Sequence, residues 1–159
     1  MVTAEQDTPE NDATAIFRRI LVPVDFSMAS HQGVFLALEL RRLYGSKICV
    51  FHATHGGEND QFLAGLGSPA SASDLIDTSP VRRFLNNIAP EQSDAVECDT
   101  AMEDDYVTSI HAKAKKWEAT LVVLSHESHP SLLRTHSEKL MKVLDVPVLV
   151  FPTAASSKA

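Results

Sequence analysis

Three runs constrain the fold of this chain more than any other feature: ILVPV at Ile20–Val24, TLVVLS at Thr120–Ser125 and VPVLVF at Val146–Phe151. Each is nearly continuous in apolar residues instead of alternating with polar ones. A strand that shows one face to water alternates; a strand covered on both faces does not. Such strands belong to a sheet sandwiched between layers of helix. KICVFHA at Lys47–Ala53 and a weaker candidate, the stretch Ser93–Cys98, bring the number of strands to five.

The segments between them read as helices. Ser27 is suited to cap the first, whose GVFLALELRRLY is apolar around most of its circumference, and Gly45 is a natural stop. Ser79 and Pro80 suit the cap and first position of PVRRFLNNI. Thr100 and Glu103 have capping-box spacing, and Val107, Ile110, Ala114 and Trp117 follow as one apolar stripe. Pro130 marks the start of the last helix, with Leu133, Leu140 and Leu144 on its inner side. Pro23 is tolerable only at the carboxyl end of its strand, where its missing N–H leaves no ladder bond unmade. Strand and helix thus alternate from end to end. Strands joined through helices run parallel with right-handed crossovers, which predicts a three-layer doubly wound α/β sheet.

Residues 1–16 read as a flexible acidic tail, 17–152 as one domain and 153–159 as a second tail. The stretch 54–79, holding Gly56, Gly57, Gly65 and Gly67 and several serines, is too long for an ordinary connection and is read as a variable loop with a short helix near Gln61–Leu66. The net charge of −7 falls to −3 over residues 17–159, because Glu5, Asp7, Glu10 and Asp12 lie in the tail. Without a basic face, nucleic acid and anionic membrane are excluded as partners. No apolar run reaches the ~20 residues of a membrane span, and the N-terminus lacks the features of a secretion signal, so a cytoplasmic protein is expected. Cys49 and Cys98 both fall in apolar runs and read as reduced, buried thiols.

Taken together, ILVPVDFS at the first strand and turn, FHA closing the second strand, LVVLSH, and finally SEKLMKVLDVPVLVF resemble the universal stress protein family over roughly Phe17 to Phe151. The resemblance implies a five-stranded parallel sheet of strand order 3-2-1-4-5, and a dimer formed through the edge strand Val146–Phe151. An uncharged apolar edge is one that proteins normally cover or pair. The resemblance also implies an adenine-nucleotide pocket at Pro23, Asp25 and Ala53. The family's phosphate loop reads Gly, two residues, Gly, nine residues, Gly, then Ser or Thr. In this sequence Leu124 and Glu127 stand where the first two glycines belong. Arg134 stands on the third, Thr135 keeps the hydroxyl, and the loop is three residues shorter. Leu124 blocks the close backbone approach that phosphate needs, and Glu127 sets negative charge beside it. A pair of like charges at ~4 Å costs ~4 kcal/mol in a partly screened site, half of what a micromolar affinity is worth.

The expectation is a dimeric regulatory or binding module in stress response, acting on an unidentified protein partner, without ATP and without enzymatic activity beyond a weak ATPase. The alternative is a stress sensor that binds ATP or AMP with Mg. The remaining chemistry is sparse. His126, Glu127 and His129 spell HESH, not the HExxH of a zinc helix, and with His136 they read as exposed polar loop residues, so no metal is expected. There is no GxSxG elbow to activate Ser125. Asp25 has an alternative role in capping the turn it sits on. His52 and His55, at the end of the second strand, are candidates for a pH-sensitive pocket beside His126.

Overall fold

The computed structural model describes residues 12–54, 78–102, 105–127 and 133–153. Five parallel strands form one sheet: β1 (Arg19–Pro23), β2 (Lys47–Thr54), β3 (Glu97–Met102), β4 (Leu121–Glu127) and β5 (Val148–Thr153). Their spatial order is β3-β2-β1-β4-β5. The helices α1 (Met28–Tyr44), α2 (Ser79–Ile88), α3 (Tyr106–Lys116) and α4 (Leu133–Val143) connect them.

The order reverses between β1 and β4, and the reversal determines where the helices lie. A right-handed crossover moving one way along the sheet puts its helix on one face; moving the other way puts it on the opposite face. Alternation along the strands therefore builds two cores. Ile20, Val22, Ile48, Val50, Leu121 and Val123 pack with Val34, Ala37 and Leu38 of α1 and with Val81, Phe84 and Leu85 of α2. Leu21, Cys49, Phe51, Ala53, Val122 and Leu124 pack with Val107, Ile110 and Ala114 of α3 and with Leu140 of α4. Most of these side chains are almost wholly out of water. Each buried Val, Leu, Ile or Phe contributes roughly 1.5–3 kcal/mol on burial, which makes the two cores the main source of stability.

Local chemistry sets several boundaries as expected. Ser27 caps α1 by accepting from the Ser30 N–H, and Gly45 ends it at φ 67 with its own N–H on Arg41 O. Pro23 closes β1. Others differ from expectation. Ser93–Ala95 forms a 3-10 turn instead of starting β3, because the Arg82 guanidinium reaches over from α2 to the carbonyls of Ser93 and Val96. Thr100 does not cap α3; it lies inside β3 opposite His52, and Asp105 caps instead, accepting from Thr108 N at 2.8 Å. Ser79 is the first residue of α2 and Thr78 occupies the cap, without a side-chain bond. Strand β5 begins at Val148, paired with Val122, and Pro147 O accepts from Val122 N at 3.0 Å, so Val146 and Pro147 lead into the strand. The last turn of the stretch read as a tail is helical: Asp12–Phe17 is a 3-10 helix, Ile16 O accepts from the Thr120 hydroxyl at 2.8 Å, and Phe17 stacks on Tyr44 at 4.4 Å. The short helix expected near Gln61–Leu66, Glu103, Pro130 and the tails 1–11 and 154–159 lie outside the described residues.

At the amino end of the sheet α3 is pinned to β3. The Trp117 indole donates to Glu97 Oε2 at 2.8 Å, and Lys113 pairs with Asp99 at 2.5 Å. The Arg19 guanidinium lies over the Trp117 ring at 4.3 Å and its Nε donates to Trp117 O.

Candidate functional site

The carboxyl ends of β1 and β4 meet where the sheet order reverses, which is where open α/β sheets present a crevice. The turn that leaves β1 forms one wall of it. Val24 extends the pairing with β2 by one bond, its N–H on Phe51 O at 2.8 Å. The chain then bends into α1, and Asp25 holds the bend. Asp25 Oδ1 accepts from Ser27 N at 3.0 Å and from the Ser30 hydroxyl at 2.6 Å. The same hydroxyl accepts from Asp25 N at 3.0 Å. Ser30 N in turn donates to Ser27 Oγ at 3.3 Å. Partial burial works to raise the carboxyl pKa, but the Ser27 and Ser30 hydrogen bonds outweigh it and hold the group below the usual carboxylate value. Asp25 is therefore ionised, fixed through one oxygen, and exposed at its outer edge.

Between Asp25 and Ser27, Phe26 adopts φ 63. For a bulky residue this left-handed conformation costs about 1–3 kcal/mol and persists only when the surroundings impose it. They do so here through rings. Phe26 lies on His52 at 4.3 Å between centroids and meets the Phe84 ring edge-on at 5.3 Å. Phe84 in turn takes His31 of α1 at 4.8 Å. His52 Nδ1 is 2.8 Å from Val24 O, so that nitrogen carries the proton. Burial lowers the His52 pKa; the bond to Val24 and the Asp25 charge oppose it without overcoming it. His52 is thus a neutral histidine clamped under Phe26.

Strand alternation turns the side chains of His52 and Ala53 to opposite faces of the sheet. Ala53 belongs with Phe51 and Cys49 on the α3–α4 face, whereas His52 packs on the α1–α2 side beneath Phe26. Asp25, at the rim, is felt from both sides: its charge acts on His52, and with burial it pushes the hydroxyl of Tyr106, in the first turn of α3, upward. Tyr106 had no sequence signal of its own; only the capping Asp105 beside it marks the spot.

Leu124 lies within β4, opposite Val150, and is 5% exposed in the α3–α4 core. The strand continues through Ser125 and His126 to Glu127, opposite Thr153. Ser125 faces α1 at Gly33. Arg134 and Thr135 fall in the first turn of α4. The side chains of His126, Glu127, Arg134, Thr135 and His136, and all of His55 and His129, lie outside the described residues. Among the described residues no group of three or more His, Cys, Asp or Glu stands close enough to hold a metal ion, and no helix is long and apolar enough to cross a membrane.

A doubly wound five-stranded sheet with this strand order defines a class of small α/β domains. The Universal stress protein family model matches residues 16–152. The chain belongs to that family. Its fold is shared by a universal stress protein family member from Burkholderia pseudomallei, at 18% identity and TM-score 0.61 over 87% of this chain and 98% of that one. A universal stress protein in complex with cAMP is similar at 14% identity and TM-score 0.58, over 87% and 98% of the two chains. The Archaeoglobus fulgidus protein in complex with dAMP follows at 17% identity and TM-score 0.54, over 85% and 98%. No curated protein matches the chain.

Proposed function

We propose that this chain is a dimeric binding module of the stress response, without enzymatic activity, in which the nucleotide's phosphate cradle has been given up. The observation that carries this is Leu124. It stands where the family's first loop glycine belongs, yet it is a buried strand residue, and the backbone stays extended for three residues beyond it. In a strand, successive N–H groups point alternately to opposite sides; an anion nest needs them to converge. Glu127 adds charge of the wrong sign at the second glycine position.

The dimer reading rests on β5. It pairs with β4 alone among the described strands, Val148–Thr153 contains no charged residue, and Leu149 is 38% exposed. A second copy pairing along this edge would satisfy its free backbone groups.

One observation favours a second reading, in which the crevice takes an adenosine monophosphate. Two of the structural neighbours are complexes with cAMP and with dAMP. The wall that would face a nucleoside, Pro23 to Asp25, is intact, and the second carboxylate oxygen of Asp25 projects from a turn held through the first.

Calorimetric titration of the purified protein with Mg-ATP and, separately, with AMP tests both. No binding up to millimolar concentration is the outcome expected. Micromolar Mg-ATP binding would overturn the proposal. Tight AMP binding with no gain from the added phosphates would establish the second reading in its place.

A further inference from the structure

The turn carrying Asp25 is held from two sides that differ in chemistry. On the α1 side, the amides of Asp25, Ser27 and Ser30 are bonded within the Asp25–Ser27–Ser30 network. On the sheet side, the hold is His52: its Nδ1 on Val24 O and its ring under Phe26. Phe26 at φ 63 is the joint between them, and the tilted contact of its ring with His52 keeps it there. We propose that His52 and Phe26 form a proton-operated latch on this turn: protonation of His52 releases Phe26 and frees the turn, and with it Asp25, from the sheet.

The bond to Val24 O uses the Nδ1 proton, so a second proton must go to Nε2, making a cation in a half-buried place. The charged groups around it do not compensate fully. Asp25, from the β1–α1 turn, attracts the cation, but its carboxylate is already engaged by Ser27 and Ser30. From α2 comes the neutral ring of Phe84, with the His31 ring of α1 on its far side. From β3 the register partner is Thr100. Arg82 is directed to the Ser93 and Val96 carbonyls. Swinging Phe26 away gives up the attraction of its ring for the imidazolium, but it lets water solvate the cation and relieves the left-handed backbone in the same movement. The direction of the shift agrees: burial holds His52 below its ordinary value, so charging it works against the closed state. The latch is separate from the nucleotide reading, because its readout is the turn itself.

Amide hydrogen exchange between about pH 7.5 and pH 5, corrected for the intrinsic pH dependence, tests it in the full chain without ligand. Protection of Val24, Asp25, Ser27 and Ser30 should fall about tenfold or more toward pH 5. Core amides such as those of Val50 and Val122 should not change. His52→Asn, which retains a donor for Val24 O and does not titrate, should remove the pH dependence; His31→Asn should leave it in place. Asp25 stays ionised over this range and does not contribute. Protection that is flat with pH in the wild type, or a pH dependence that survives in His52→Asn, would overturn the latch. Should His52→Asn fail to fold, the imidazole proton resonances of His52 supply the second test. A titration uncoupled from any change in the Phe26 ring resonances would overturn it equally.

Discussion

Gly33 of α1 and Ser125 of β4 lie so close that a β-carbon at Gly33 would stand 3.3 Å from the serine hydroxyl oxygen. The seat of α1 on β4 at this point leaves room for a hydrogen but little more. Gly33→Leu should destabilise the fold by about 2–3 kcal/mol through overpacking. Gly33→Ala should be nearly neutral, because the gain in helix propensity of ~1 kcal/mol offsets the crowding. Chemical denaturation of the two variants checks both, and combining Gly33→Ala with Ser125→Ala should turn the balance to net stabilisation.

Restoring the family glycine at Leu124 should cost stability without recovering function. The side chain is 5% exposed and packed in the α3–α4 core. Leu124→Gly should lose about 3–5 kcal/mol, combining a core cavity with a weakened strand. A urea midpoint unchanged from wild type would show that this position is loop-like after all.

Asp25 should contribute to acid stability with a definite sign. Its folded pKa lies below the unfolded value near ~3.9, so its contribution is complete above about pH 4 and is lost as pH falls through the lowered folded value. Because its outer edge is solvated, the contribution is about 1 kcal/mol, no more than one charge-assisted hydrogen bond net of screening. Asp25→Asn should therefore lower thermal stability at pH 7, and the wild-type and variant curves should converge toward pH 2.

Trp117 and Glu97 should behave as a coupled pair. Removing the indole N–H with Trp117→Phe, or the acceptor with Glu97→Ala, should each cost about 1–2 kcal/mol. The double variant should cost less than the sum, since both changes break one bond. The chain has a single tryptophan, so its emission during denaturation reports directly on whether α3 remains seated on β3.

What was legible in the sequence follows the range of the interactions. Ser27, Gly45 and Pro23 act on their immediate backbone, and each does in the structure what its type implies. Asp25 as a turn cap is equally local. The start of β3 differs from expectation because the Arg82 guanidinium, 11 residues before Ser93 and 14 before Val96, holds both carbonyls. Thr100 has the chemistry of a cap, but pairing with His52 outweighs it. At the site, Leu124 was identified by motif position, whereas only the register with Val150 reveals that it is a strand residue. The Phe26–His52–Phe84 cluster left no trace in the sequence, because it depends on a positive φ and on which side of β2 a histidine faces.

The division of the interior by the sheet has one more consequence. Among the described residues no side chain belongs to both cores, and the strand backbones lie between them. Substitutions such as Val34→Ala on one side and Ile110→Val on the other should therefore add in free energy. Over evolutionary time the two halves can drift independently: the layer around α3 and α4 can change its packing while the layer around α1 and α2 keeps the turn and its rings unchanged.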